Sequence, residues 1–94
     1  MTWEIVYHKD VEDDLESVGP SAARRIMQTI DEKLTQAPEK FGAPLSNNLK
    51  NFRKLRIGDF RVVYQVFNKK VIVFVLAVGP RRDKEIYRSA SKRI

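Results

Sequence analysis

Val71-Ile72-Val73-Phe74-Val75-Leu76-Ala77-Val78 is an unbroken apolar run that ends at Gly79-Pro80. It falls well short of the roughly 18 residues that a bilayer span needs, and its β-branched content marks it as a strand. A strand that is apolar on both faces belongs in the middle of a sheet. Its neighbours supply that sheet. Residues 52–57 and 60–67 read as two more strands joined through Gly58-Asp59, and a tight turn near Asn68-Lys69 leads into the central one. Residues 2–8, Thr-Trp-Glu-Ile-Val-Tyr-His, are rich in β-branched and aromatic types and make a first strand.

Between the first strand and the other three the period changes. A short acidic helix over residues 9–18 places Val11, Leu15 and Val18 on one side, and Gly19-Pro20-Ser21 breaks it. From Pro20 to Gln36 the residues Ala23, Ile26, Met27, Ile30 and Leu34 fall at three- and four-residue spacings, which predicts an amphipathic helix with proline in its first turn. Residues 37–48, with two prolines, a glycine and two asparagines, form a loop, and residues 83–93 form a terminal helix. The expected fold is α+β in the order β-α-α-β-β-β-α, a twisted sheet with the helices packed on one face. The chain of 94 residues has no repeat or linker, so residues 1–94 form one domain around one core.

Several chemistries are excluded. Without cysteine there is no disulfide, thiolate nucleophile or thiolate metal site, and His8, the single histidine, cannot build a metal site alone. No metal or other cofactor is expected. The first residues read as a strand and not as a secretion signal, no segment suits a membrane, and the expected location is the cytoplasm.

The charge is unevenly spread. Residues 1–47 hold five Lys/Arg against nine Asp/Glu, whereas residues 48–94 hold thirteen against three, so a −4 half precedes a +10 half. Such a polycation is either a solvated basic surface or a binder of nucleic acid, since each cation that neutralises a phosphate releases a condensed counterion. Register sharpens the choice. With Gly58-Asp59 as a two-residue loop, Ile57 faces Phe60 and Arg56 faces Arg61, which puts Leu55, Ile57, Phe60 and Val62 on the core side. Lys54, Arg56 and Arg61 then share the other face, with no carboxylate among Phe52, Lys54, Arg56, Arg61, Val63 and Gln65. These cations either splay into water or hold phosphates. Arg81 and Arg82 lie just beyond the central strand, where a loop can aim side chains at a ligand, and Tyr87 follows within a turn or two.

The series Leu55-Arg56-Ile57-Gly58-Asp59-Phe60-Arg61-Val62-Val63-Tyr64, then an apolar strand, then Val78-Gly79-Pro80-Arg81-Arg82 and Ile86-Tyr87, resembles the RelE/ParE toxin superfamily. It looks most like the RelE ribonuclease branch, through Lys54, Arg61, Arg81 and Tyr87. The resemblance implies a metal-independent toxin that cleaves messenger RNA in the ribosomal A site by attack of a ribose 2′-hydroxyl on the adjacent phosphate. It implies Tyr87 as general base, Arg81 as general acid, and Lys54 with Arg61 as stabilisers of the phosphorane charge. The implied partners are the ribosome with its messenger RNA and a cognate antitoxin. Other members act on DNA gyrase instead, and a catalytically inert nucleic-acid binder is a third possibility.

RNA-binding roles are expected for Arg56, Arg82, Arg53 and Phe52. Where ribonuclease members often carry a second lysine this chain has Phe52, which either stacks on an unpaired base or packs under a helix. Arg53, one position on, points to the opposite face and needs a bulge or a register slip to take part. Trp3, Tyr64, Phe67 and Phe74 are expected to pack, and His8 to sit at the surface.

The basic half carries a direct expectation. Raising salt from about 50 to about 200 mM should weaken binding to RNA or ribosomes at least ~10-fold, because several phosphate contacts release counterions. A flat salt profile in a binding titration would remove the argument from charge.

Overall fold

The computed structural model describes residues 2–80 and 85–94. In chain order the elements are β1 (Glu4–Tyr7), α1 (Val11–Val18), α2 (Pro20–Thr29), β2 (Ala43–Pro44), β3 (Arg53–Ile57), β4 (Phe60–Phe67), β5 (Ile72–Pro80) and α3 (Glu85–Arg93). The last turn of α2 widens into a π turn over Ile30–Leu34, and a 3₁₀ turn spans Asn47–Leu49. The sheet order is β1-β5-β4-β3-β2, with β1 parallel to β5 and every other pair antiparallel.

The local reasons are those of the sequence. Gly19, at φ 93°, ends α1, and Pro20 opens α2 at a position where its missing N–H costs nothing. Glu12, Asp13 and Asp14 lie in the first turn of α1, at the positive end of its dipole. The π turn keeps Ile30 and Leu34 on the same side as Ile26, and all three are fully buried.

Class and the order of the main elements are as expected, with the two-residue β2 added inside the stretch expected as a loop, and β5 is central between β1 and β4. The layering differs in one respect. Two buried clusters occupy opposite faces of the sheet. One gathers Val11, Ile26, Ile30 and Leu34 against Leu55, Ile57, Val62, Tyr64, Val73, Val75 and Val78. The other gathers Ile86 and Ala90 of α3, with Leu49 and Phe52, against Val63, Leu76 and Ala77. Only α1 and α2 therefore share a face, and α3 covers the other. The cause is β5 itself, since a strand apolar on both sides needs cover on both sides.

A β-bulge completes the arrangement. Val63 pairs with Ala77 and Tyr64 with Val75, so Leu76 is an extra residue in β5. Leu76 and Ala77 consequently face the same cluster, and Val78 returns to the other one. Gly79 then sits opposite Arg61 on the α3 side, where a Cβ would lie 3.2 Å from Ile86 Cδ1. The missing side chain lets α3 close onto the sheet beside Arg61.

The connection from β4 to β5 is longer than the tight turn expected. Phe67 pairs with Ile72, leaving residues 68–71 as the turn, and Val71 adopts φ 55°. A β-branched residue in the left-handed region is strained by about 1–2 kcal/mol. Val71→Asn should therefore raise stability by up to about 1 kcal/mol in chemical denaturation, since asparagine tolerates this conformation. A decrease would mean that the valine side chain packs better than its partial burial implies.

Candidate active site

The site is built on β3 and β4 by a loop that is tied down from both. Tyr64 is fully buried, and its hydroxyl donates into a pair of carbonyls, 2.8 Å from Pro38 O and 2.5 Å from Phe41 O. Burial pushes the Tyr64 phenol above its ordinary pKa, against the lowering effect of Arg53. Arg53, the cross-strand partner of Tyr64, donates from Nη2 to Glu39 O at 3.1 Å and Gly42 O at 3.2 Å. Gly42 adopts φ 75°, and a Cβ there would lie 2.6 Å from both Lys54 O and the Tyr64 hydroxyl. The loop thus crosses directly over β3. It pairs as β2 with Arg53 and Lys54, continues with Leu45 N–H donating to Phe52 O at 3.0 Å, and sets residues 45–49 beside α3.

Two expectations are corrected here. Arg53 is on the loop side of β3, opposite the cationic face, and its guanidinium holds main chain. Phe52 is 8% exposed within the α3 cluster, so it packs under a helix and presents no face to a base. The reason for both is strand alternation with each side of the sheet covered. Tyr64 and Phe74 do pack, whereas Phe67 is exposed at the end of β4.

The cationic face has the expected register. Arg56 pairs with Arg61 and Lys54 with Val63, which places the three cations on one side. A cross-strand Arg–Arg pair costs a few tenths to about 1 kcal/mol. Burial of Leu55, Ile57 and Val62 on the opposite side contributes about 1.5–3 kcal/mol per residue, so the apolar face sets the register and the cations must accept it. Arg56 is exposed, and Lys54 and Arg61 are half-buried.

Arg61 has a partner that sequence alone could only bring near. Its Nη1 donates to Tyr87 Oη at 2.5 Å, and its Cζ lies 5.8 Å from the Tyr87 ring centroid. Lys54 and Arg61 stand where two grooves meet. A groove of about 720 Å³ runs from them past Tyr87, between Leu45–Leu49 and the α3 residues Arg88, Ser91 and Lys92. A smaller one of about 400 Å³ runs the other way, along Gly42, Ala43, Leu55 and Arg56. Among the described residues, neither has a carboxylate in its lining. Arg81 and Arg82 lie outside the described residues.

The helix that carries Tyr87 is pinned at its far end. Arg93 makes a two-pronged bond to Asp14 of α1, Nη1 to Oδ2 at 2.6 Å and Nη2 to Oδ1 at 2.8 Å. Arg93 Nη1 also donates to Leu76 O at 3.0 Å, and Asp14 Oδ2 accepts from Val78 N–H at 3.0 Å. These bonds raise the pKa of Arg93 further, with the Asp14 hydrogen bond as the main cause. Nearer Tyr87, Asn48 Nδ2 donates to Ser91 Oγ at 2.9 Å and joins the 3₁₀ turn to α3. Sequence reasoning missed these residues. Arg88, Ser91 and Lys92 had a signal, since Ser91 lies one turn beyond Tyr87 and Lys92 one turn beyond Arg88. Asp14 and Arg93, 79 positions apart, had none.

Arg93→Met should lower stability by about 2–3 kcal/mol in chemical denaturation, because it strips a mostly buried carboxylate of its partner. A change below about 0.5 kcal/mol would mean that the pair behaves like an exposed one.

Comparison with known proteins adds to this geometry. A family model described as the ParE toxin of the type II toxin-antitoxin system parDE matches residues 5–85. The mRNA interferase toxin RelE of Escherichia coli strain K12 is 35% identical over 78 residues, covering 83% of this chain and 78% of that protein. Among solved structures, a mutant of the Escherichia coli toxin RelE in the free state superposes with a TM-score of 0.78 at 26% identity, over all of this chain and 99% of that one. The RelBE2 toxin-antitoxin complex of Mycobacterium tuberculosis contains a chain with the same fold, at a TM-score of 0.82 and 22% identity over 88% of this chain and 95% of that one.

Proposed function

Because this chain belongs to the ParE toxin family of type II toxin-antitoxin systems, within the RelE/ParE superfamily, we propose that its two grooves and the Lys54–Arg61–Tyr87 cluster make it an endoribonuclease toxin, an mRNA interferase of the RelE kind. The observation that carries this reading is the Arg61–Tyr87 contact at the edge of a groove that has no carboxylate among its described residues. The guanidinium fixes where the Tyr87 oxygen points, and a base must be held in place before it can take a proton.

The resemblance implies the reaction. Tyr87 Oη, acting as the phenolate, removes the proton of a ribose 2′-hydroxyl and becomes the neutral phenol, and the 2′-oxygen attacks the adjacent phosphorus. The bond to the 5′-oxygen breaks, and that oxygen takes a proton from Arg81, the acid that the resemblance implies. The products are a 2′,3′-cyclic phosphate and a 5′-hydroxyl. Lys54 and Arg61, held by strand register before substrate arrives, offset the extra charge of the phosphorane, and one such donor is commonly worth about 10²–10³ in rate. Arg56 and Arg82 are proposed to hold flanking phosphates.

The substrate is proposed to be messenger RNA in the ribosomal A site, with translation as the inhibited process. A cognate antitoxin, the other half of such a system, is proposed to silence the toxin by covering or distorting the cationic face. Action on DNA gyrase in the manner of other superfamily members has no use for a tyrosine oxygen held on an arginine within an anion groove, which favours the nuclease.

Tyr87→Phe removes only the oxygen. It should leave folding and ribosome binding intact while lowering cleavage by about 10²–10⁴-fold, the usual contribution of a general base. Translation-coupled cleavage mapping with programmed ribosomes measures this directly. Cutting within a few-fold of wild type would assign the proton to another group, with Lys54 next in line, and absence of cutting by the wild-type protein would remove the nuclease reading.

A further inference from the structure

We propose that Asp14 and Arg93 are a positioning pair for Tyr87, fixing the roll of α3 about its axis and with it the place of the Tyr87 oxygen against Arg61. The apolar contacts of α3 leave that roll free. The helix has nine residues, fewer than the roughly 12–15 that an isolated helix needs, so tertiary contacts must hold it. Its buried residues are Ile86 and Ala90, which are four positions apart and form one line along the helix, and Ala90 offers a single methyl group. A helix resting on one line of contacts can roll about that line. Tyr87 stands beside the line and is half-buried. Side-chain tips lie roughly 5–6 Å from a helix axis, so a roll of about 10° moves a tip by roughly 1 Å. A misplacement of about 1 Å at a reacting group can lower a rate about 10²-fold.

The pair removes the freedom to roll. The Arg93 fork meets both oxygens of Asp14, and its Nη1 donates to Leu76 O as well, while Asp14 Oδ2 accepts from Val78 N–H. The two side chains are only 14% and 15% exposed, so little water competes for these bonds. A planar fork bonded at once to α1 and to β5 has one orientation, and rolling the helix breaks it. Leu76 and Val78 are followed directly by Gly79, which sits opposite Arg61. The anchor of α3 and the strand position of Arg61 therefore refer to the same short stretch of β5. Neutralising a buried carboxylate requires only a charge, which lysine also supplies, whereas fixing an orientation requires the fork. That the orientation governs rate rests on the reading of Tyr87 as the base.

Two variants of the full-length protein separate these roles. Arg93→Lys keeps the charge beside Asp14 and loses the fork, and Asp14→Asn keeps an acceptor for Val78 N–H and loses the charge. The first readout is fluorine NMR of protein labelled with 3-fluorotyrosine at Tyr7, Tyr64 and Tyr87, with Tyr87→Phe assigning the Tyr87 resonance. In Arg93→Lys that resonance should shift or broaden, while that of Tyr64, buried on the opposite face of the sheet, stays in place. The second readout is cleavage on programmed ribosomes by unlabelled protein. Each variant should lower kcat at least about 10-fold with KM unchanged, and the double variant should be no worse than the weaker single one. In a Tyr87→Phe background Arg93→Lys should cost less than about 2-fold, because a residue that acts through Tyr87 has nothing left to position. Chemical denaturation checks that each variant is folded.

An unmoved Tyr87 resonance in both folded variants would overturn the proposal. So would a cleavage loss carried by KM, or one of equal size in the Tyr87→Phe background, and unfolding of both variants would make the pair structural only. The fluorine readout needs no cleavage. If the Tyr87 resonance moves in a protein that cuts no message on ribosomes, the catalytic reading falls and the pair stands as what places Tyr87.

Discussion

Water has to be kept from both faces of β5, and most of the molecule is arranged to that end. Its residues from Val75 to Gly79 are buried without a break. α1 and α2 cover one side and α3 the other. The bulge at Leu76 lets the strand serve both clusters unequally, giving α3 two consecutive apolar residues. It also places Gly79 where α3 comes closest to the sheet. That approach carries Tyr87 to Arg61. The Arg61–Tyr87 contact is thus a consequence of how a hydrophobic strand is covered.

A strand in this position leaves main-chain groups to satisfy, because a buried N–H or C=O without a partner costs free energy. β1 pairs with β5 only as far as Val75. Beyond that point Asp14 accepts from Val78 N–H and Arg93 donates to Leu76 O. One ion pair therefore continues the work of the edge strand and fixes the far end of α3 as well. At the other side of the sheet, Tyr64 and Arg53 do the same for the carbonyls of the loop at Pro38–Gly42. The two devices hold the two walls of the larger groove, α3 on one hand and residues 45–49 on the other.

The cations are held differently. Lys54, Arg56 and Arg61 sit together because the apolar residues alternating with them leave no other side. Their repulsion is small beside the burial that imposes it. Under the proposed function, a polyanionic substrate would find the charges already gathered, with little reorganisation left for the moment of reaction.

How much of this was legible in the sequence depends on how far apart the interacting residues are. Alternation in residues 52–67 and the Gly58-Asp59 loop determined the pairing of Arg56 with Arg61, and the apolar run at Val71–Val78 determined a central strand, because both are local and follow from side-chain period. The resemblance carried by residues 54–87 identified the family. The sequence did not reveal that α3 takes the second face, that the bulge falls at Leu76, or that Val71 bends into a left-handed turn. It left Phe52 open between a base platform and a packed residue, and burial under α3 decided for packing. It offered no sign of Asp14 with Arg93, or of Asn48 with Ser91, since such pairs join positions dozens of residues apart and leave no periodic trace. Local patterning decides which way a side chain faces; what it meets there is decided by packing, and for the groove at Lys54 and Arg61 only the tertiary structure could supply the answer.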